Sequence, residues 1–343
     1  MFALRQITPA LRNYLDWLRT EYGRLPQIGV ATEQVALDLA SVYVPLQALE
    51  RSDAERYYRR MRGDDQDREL DETGSFESGP EPIFTPFSDP KLLQKAFEQR
   101  RPRSSRNPAI ASRGPRPVRK ERLPQTFTRL LLLGDAGSGK TSTLRFLALR
   151  CAEAYRHGDR RILSKDLGLE LSRPPLPIYV RLTHFAAQLP ADLDTLSPDG
   201  RERYVGAPPK LFLDWLDSAV SKRPGISTGT LSGMIKRGSG CLIMLDGLDE
   251  AGDEPRRAFI AELISNLAAD YPEHRYVVAS RTAGYGGRVQ LPDFTERHLS
   301  PLDGDGIRNL ITKWYQAVDT RLAETGRTAQ QDDAKASGRR LWA

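Results

Sequence analysis

Residues 134–141 read GDAGSGKT, set between four leucines, Leu130 to Leu133, and the helix-like run STLRFLALRCAEAY. The loop fits G-x-x-x-x-G-K-[ST] through Gly134, Gly139, Lys140 and Thr141. Glycines let backbone amides turn inward as an anion-binding nest, and the helix that follows presents its positive end to the same point. The expected ligand is a phosphate chain, held by Gly134, Asp135, Ala136, Gly137, Ser138, Gly139, Lys140, Thr141 and Ser142. Lys140 is expected to reach the β- and γ-phosphates, and the Thr141 hydroxyl to ligate Mg²⁺. A glycine-rich turn without a ligand is the plainer alternative. An apolar strand on one side and a helix on the other favour phosphate.

A second constellation is CLIMLDGLDEAGD, residues 241–253. An apolar strand there runs into Asp246, whose carboxylate at the strand's end would hold Mg²⁺ directly or through water, the Walker B arrangement. Asp249 and Glu250 follow closely enough to orient or deprotonate an attacking water. Either could be the base, and both could instead cap the next helix. The third element, RYVVASRTAGYGG (275–287), ends its strand at Ser280-Arg281. An arginine at that edge can contact a γ-phosphate and report its presence.

Outward from these motifs, residues from Gln125 onward alternate strand and helix. The candidate strands are Arg129–Leu133, Pro177–Leu182, Cys241–Leu245, Arg275–Ser280 and Phe294–Leu299. Helices lie between them, the clearest at Ala258–Asp270, and a last one is expected near Ile307–Tyr315. This alternation predicts an α/β fold with a five-stranded parallel sheet covered on both faces and ligands at the strands' carboxyl ends. One credible strand, PIYVRL, separates the loop from Asp246, so the acid lies on the third strand. Together with the extra acids, this points to the hydrolytic P-loop branch with an inserted strand rather than to small kinases or GTPases. No guanine-selecting N-K-x-D motif occurs, so ATP is the expected nucleotide.

The remainder of the chain divides by composition. Residues 1–60 read as a helical region: Thr8-Pro9 is a helix start, and Leu11, Tyr14, Leu15, Leu18 and Tyr22 share one face. VALDLASVYVPLQALE is interrupted by Pro45 and is expected to be extended around Val42–Val44. Residues 61–124 read as a charged, largely disordered linker with one possible short helix at 91–99. Within it, 64–81 is acidic, and 100–122 carries nine basic side chains against Glu121 alone. The net charge of +6 therefore comes from one tract rather than from a basic surface. Residues 125–300 form the nucleotide-binding domain, and 301–343 begin a helical domain followed by a polar tail. No apolar run approaches the ~18 residues of a membrane span. Cys151 and Cys241 suit buried positions in a reducing cytoplasm, and four scattered histidines form no ligand cluster.

LLLLGDAGSGKTSTLRFLA, LPIYVRL, LIMLDGLDEA, YVVASR and LSPLDGDGIRNLITKWY together resemble the NACHT NTPases. These belong to the STAND class of signalling ATPases, related to AAA+ proteins. The D-G-L-D-E form of Walker B is the most specific match, and the resemblance covers residues 126–317, with a weaker one over 11–48. It implies an additional-strand, catalytic-glutamate P-loop fold and a switch that is ADP-bound and closed at rest. The ATP-bound form self-associates through the NACHT domain after a trigger. Prokaryotic members often serve in antiphage defence. Carried over by position, Lys140, Thr141 and Asp246 bind phosphate and Mg²⁺, Asp249 and Glu250 are hydrolytic acids, Arg281 is the sensor, and Tyr43-Val44-Pro45 borders the adenine. Family members continue into a winged-helix domain and a sensor region. Either this chain is a fragment, the favoured expectation, or a partner supplies those parts.

Two other readings carry weight. In one, bound ATP or ADP gates a scaffold and hydrolysis hardly matters. In the other, the tract 100–122 contacts nucleic acid. No aromatic residue interleaves with those arginines, so a solvated linker docking on the acidic segment is favoured, with no membrane association.

Overall fold

Four consecutive leucines cannot alternate inside and outside, so a strand made of them must be covered on both faces. In the computed structural model all four are buried at the centre of a sheet. Described are residues 7–25, 28–30, 33–46, 48–51, 54, 127–167, 169, 171–190 and 210–324. The linker 61–124, with its acidic and basic tracts, and the tail from residue 325 lie outside them.

In chain order the N-terminal part contains α1 (Pro9–Tyr22), a small antiparallel pair β1 (Ile28–Val30) and β2 (Glu33–Val35), α2 (Leu39–Val42) and β3 (Ala48–Leu49). The larger part begins with β4 (Arg129–Leu133), α3 (Lys140–His157), α4 (Arg161–Leu167), β5 (Leu176–Arg181) and α5 (Leu182–Ala186). It continues through α6 (Lys210–Ser221), α7 (Thr230–Lys236), β6 (Cys241–Asp246), α8 (Glu254–Asp270), β7 (Arg275–Ser280), β8 (Thr295–Leu299) and α9 (Gly304–Glu324).

The main sheet has the order β3-β8-β4-β7-β6-β5. β7 stands between the strand that leads into the glycine-rich loop and the strand that ends in Asp246, which is the insertion expected from motif spacing. The expectation of five parallel strands is corrected: the sheet has six, and β3 pairs antiparallel with β8, Ala48 opposite Leu299 and Leu49 opposite His298. Two residues are too few to show a strand period in sequence, and this pairing is made by a contact far along the chain.

The amphipathic N-terminal helix forms as its pattern requires. The Thr8 side chain accepts from Leu11 N–H, Pro9 takes the first turn, and Leu11, Tyr14, Leu15 and Leu18 are buried. α1 packs on α3, where Arg156 pairs with Asp16, and the Tyr14 hydroxyl donates to the Pro177 carbonyl at 3.0 Å. Around Val42–Val44 the expected extension is half correct. Asp38 caps the short helix α2, and the chain becomes extended at Tyr43, with φ −64° and ψ 133°. α9 is longer than expected and lies on α2, with Val318, Trp314 and Ala317 against Leu37 and Val42. His274 is structural: Nδ1 accepts from Cys241 N–H at 3.2 Å, and Nε2 lies 2.9 Å from the Ile235 carbonyl. Both cysteines are buried and free.

Leu18 is completely buried beneath α1. Leu18→Ala is expected to destabilise the protein by about 2–5 kcal/mol, read as a lower midpoint in urea denaturation.

Candidate functional site

Parallel strands deliver their C-terminal ends to one edge of a sheet. Here that edge receives the loop after β4, Asp246 at the end of β6 and Arg281 directly after β7. Register keeps them level: Leu133 lies opposite Ser280, and Ala279 opposite Asp246.

The loop is built around an ammonium group. Lys140 Nζ donates to the carbonyls of Gly134 at 2.7 Å and Asp135 at 2.8 Å, and to Ser138 Oγ at 3.3 Å. Half-burial lowers the lysine's pKa, and the carboxylates of Asp249, Asp135 and Asp246 work against that fall. Lys140 therefore feels all three acids. Gly139 has φ +90°, a conformation that side chains resist, and a Cβ there would come within 2.6 Å of Leu46 Cδ1. It precedes the first turn of α3 and supplies no side-chain cap to that turn's amides. Asp135, Ala136, Gly137 and Thr141 are exposed, whereas Ser138 and Ser142 are half-buried.

Asp246 is buried, and its Oδ2 accepts from the Tyr179 hydroxyl at 2.7 Å. Beyond it, Leu248–Glu250 form a single 3₁₀ turn. Asp249 and Glu250, which sequence treats alike, differ sharply there. The Asp249 side chain is 8% exposed; its Oδ1 accepts from Arg281 N–H at 2.9 Å and its Oδ2 pairs with Arg281 Nε at 3.0 Å. Glu250 is 46% exposed and meets Arg281 Nη2 through one oxygen, at 2.8 Å. The proposed sensor arginine and both acids thus form one cluster. Gly284 makes this packing possible, because a Cβ there would lie 2.4 Å from Asp249 Cβ.

Tyr43 lies against the same helix. Its ring stacks on Phe146 with centroids 3.9 Å apart, and its hydroxyl donates to Thr143 Oγ1 at 3.3 Å. Its carbonyl accepts from Lys313 Nζ of α9 at 2.8 Å. Tyr43, Leu46 and the loop are therefore neighbours.

Sequence reading missed Tyr179, Gly284, Leu46 and Lys313. Only Tyr179 carried a signal: a tyrosine within an apolar strand must find a partner for its hydroxyl. Among the described residues no three His, Cys, Asp or Glu side chains group as a metal site. Mg²⁺ at such an edge ordinarily relies on one or two carboxylates together with phosphate oxygens.

The sheet order, the loop between β4 and α3 and the acid closing β6 make this a P-loop NTPase architecture. No protein-family model matches the chain, and no curated protein matches it. Among solved structures it is similar to AMPPCP-bound DnaA from Aquifex aeolicus, with a TM-score of 0.29 and 14% identity over 62% of this chain and 50% of that one. The match thus spans half of that protein's length, and a likeness so distant carries no weight in the assignment, which rests on topology and loop geometry.

Gly139→Ala is expected to strain the loop against Leu46 and lower stability by about 1–3 kcal/mol, seen as a reduced melting temperature.

Proposed function

We propose that this chain is an ATP-binding and ATP-hydrolysing switch of the NACHT type, within the STAND class, that self-associates on activation in antiphage defence or regulation. One observation carries the reading: the arginine after β7 is ion-paired with both acids after β6. Contact with phosphate and readiness for hydrolysis thereby share one side chain.

The residues suit Mg²⁺·ATP. Lys140 is held by loop carbonyls it can exchange for phosphate oxygens, Thr141 offers an exposed hydroxyl, and Asp246 offers a buried carboxylate with one oxygen already engaged. Bound Mg²⁺·ATP supplies the phosphoanhydride bond and the metal charge that stabilises its cleavage. The loop from Gly134 to Ser142 surrounds the phosphates, and Thr141 with Asp246 holds the metal. Glu250, half-exposed and paired with Arg281 through a single oxygen, is the acid assigned to take a proton from water. Asp249, with both oxygens on Arg281, orients that arginine. For Glu250 to work as a base, Arg281 must release it, and a γ-phosphate is the competing anion that draws the guanidinium away. Tyr43-Val44-Pro45 borders the adenine, beside Phe146 and Thr143.

Lys140→Ala is expected to abolish nucleotide binding in a fluorescent-nucleotide titration, and intact binding would refute the reading. Glu250→Gln is expected to slow turnover about 10²- to 10⁴-fold while leaving the nucleotide Kd within about threefold. If Asp249→Asn combined with Glu250→Gln leaves nucleotide-driven assembly in sedimentation velocity unchanged, the nucleotide-gated scaffold replaces the hydrolytic switch.

A further inference from the structure

β5 presents buried side chains from Leu176 to Val180, and Tyr179 is the only polar one among them. Removing a phenol from water requires a partner for its oxygen. The partner is Asp246 Oδ2, at 2.7 Å, with Tyr179 5% and Asp246 6% exposed. The register makes the reach possible. β5 and β6 run parallel with Arg181 opposite Asp246, so Tyr179 sits two residues earlier on the neighbouring strand and its long side chain spans the offset.

The ring is held from the other side by the N-terminal helix. Tyr22 meets the Tyr179 ring edge-on, with centroids 4.5 Å apart and planes at 61°. Arg145 of α3, in the helix that follows the glycine-rich loop, lies over the Tyr22 ring at 5.6 Å. α1 is fastened to β5 again at Pro177, whose carbonyl takes the Tyr14 hydroxyl. A tyrosine packed in this way has little rotamer freedom, and the oxygen it presents to Asp246 is correspondingly fixed.

We propose that Tyr179 is a positioning residue for the metal: its hydroxyl engages Oδ2 of Asp246, fixes the carboxylate at the strand's end and leaves Oδ1 to take Mg²⁺. This rests on the nucleotide reading above. A carboxylate on a buried strand end could otherwise rotate, and metal affinity falls when an outer partner of a ligand is removed. A purely structural tyrosine would make the same bond without affecting the metal.

The two roles separate when metal binding is read apart from nucleotide binding. In the full chain, Mn²⁺ affinity in the presence of ADP is measured by electron paramagnetic resonance, and ADP affinity is measured in excess EDTA. Tyr179→Phe is expected to weaken Mn²⁺ binding about 10- to 100-fold while ADP binding in EDTA stays within about twofold. Tyr276→Phe serves as control. It removes another buried strand hydroxyl, bonded to the Leu267 and Tyr271 carbonyls, and should lower the melting temperature without moving Mn²⁺ affinity. Mn²⁺ affinity unchanged in Tyr179→Phe, or an equal loss in EDTA, overturns the proposal and leaves the nucleotide reading standing. A wild-type chain that binds ADP neither with metal nor without it overturns both. Should Tyr179→Phe fail to fold, Tyr22→Leu removes the brace and keeps the hydroxyl. It is expected to weaken Mn²⁺ binding several-fold, and no change overturns the proposal.

Discussion

Everything at the candidate site depends on the parallel pairing of β4, β7 and β6. These strands share no sequence neighbourhood, yet their ladder sets Leu133 beside Ser280 and Ala279 beside Asp246. A slip of one residue on β6 would turn Asp246 from the sheet edge into a packed layer, because successive side chains point to opposite faces. The apolar run Cys241–Leu245 opposes that slip: all five of its residues are buried, so a shifted register would bring polar residues into the interior. The chemistry is located by hydrophobic packing, several residues away from any reacting group.

The Arg281 cluster follows a different logic. The Arg281–Glu250 pair is half-exposed on both sides, and such pairs stabilise a fold by only ~0–1 kcal/mol, so this contact is not what holds the protein together. Its effect is geometrical. Two oxygens of Asp249 fix both the backbone and the Nε of Arg281, leaving the outer guanidinium nitrogen as the mobile contact with Glu250. One acid acts as a mount and the other as an exchangeable partner. This division came from burial, since Asp249 is tucked against Gly284 and Glu250 faces outward.

Local patterns made much of this legible from the residues alone. Gly134 to Ser142, Asp246 and Arg281 each lie where a strand stops, and a strand's end can be read from a run of apolar residues breaking into polar ones. The amphipathic face of α1 was equally visible. What stayed hidden depends on contacts between distant segments. β3 is two residues long, Tyr179 reaches Asp246 only through register, and Leu46 abuts Gly139 across the intervening linker. The difference between Asp249 and Glu250 had no sequence signal, because neighbouring acids look alike until one is packed.

The N-terminal residues also decide how the sheet's borders behave. Unpaired strand borders invite pairing with other chains. One border is sealed by Ala48 and Leu49 on β8. At the other, β5 carries Pro177, which has no N–H to offer, and its carbonyl is occupied by Tyr14. A chain stripped of its first fifty residues would therefore uncover β8 and free the Pro177 carbonyl of β5, leaving backbone on both flanks open to pairing with another chain.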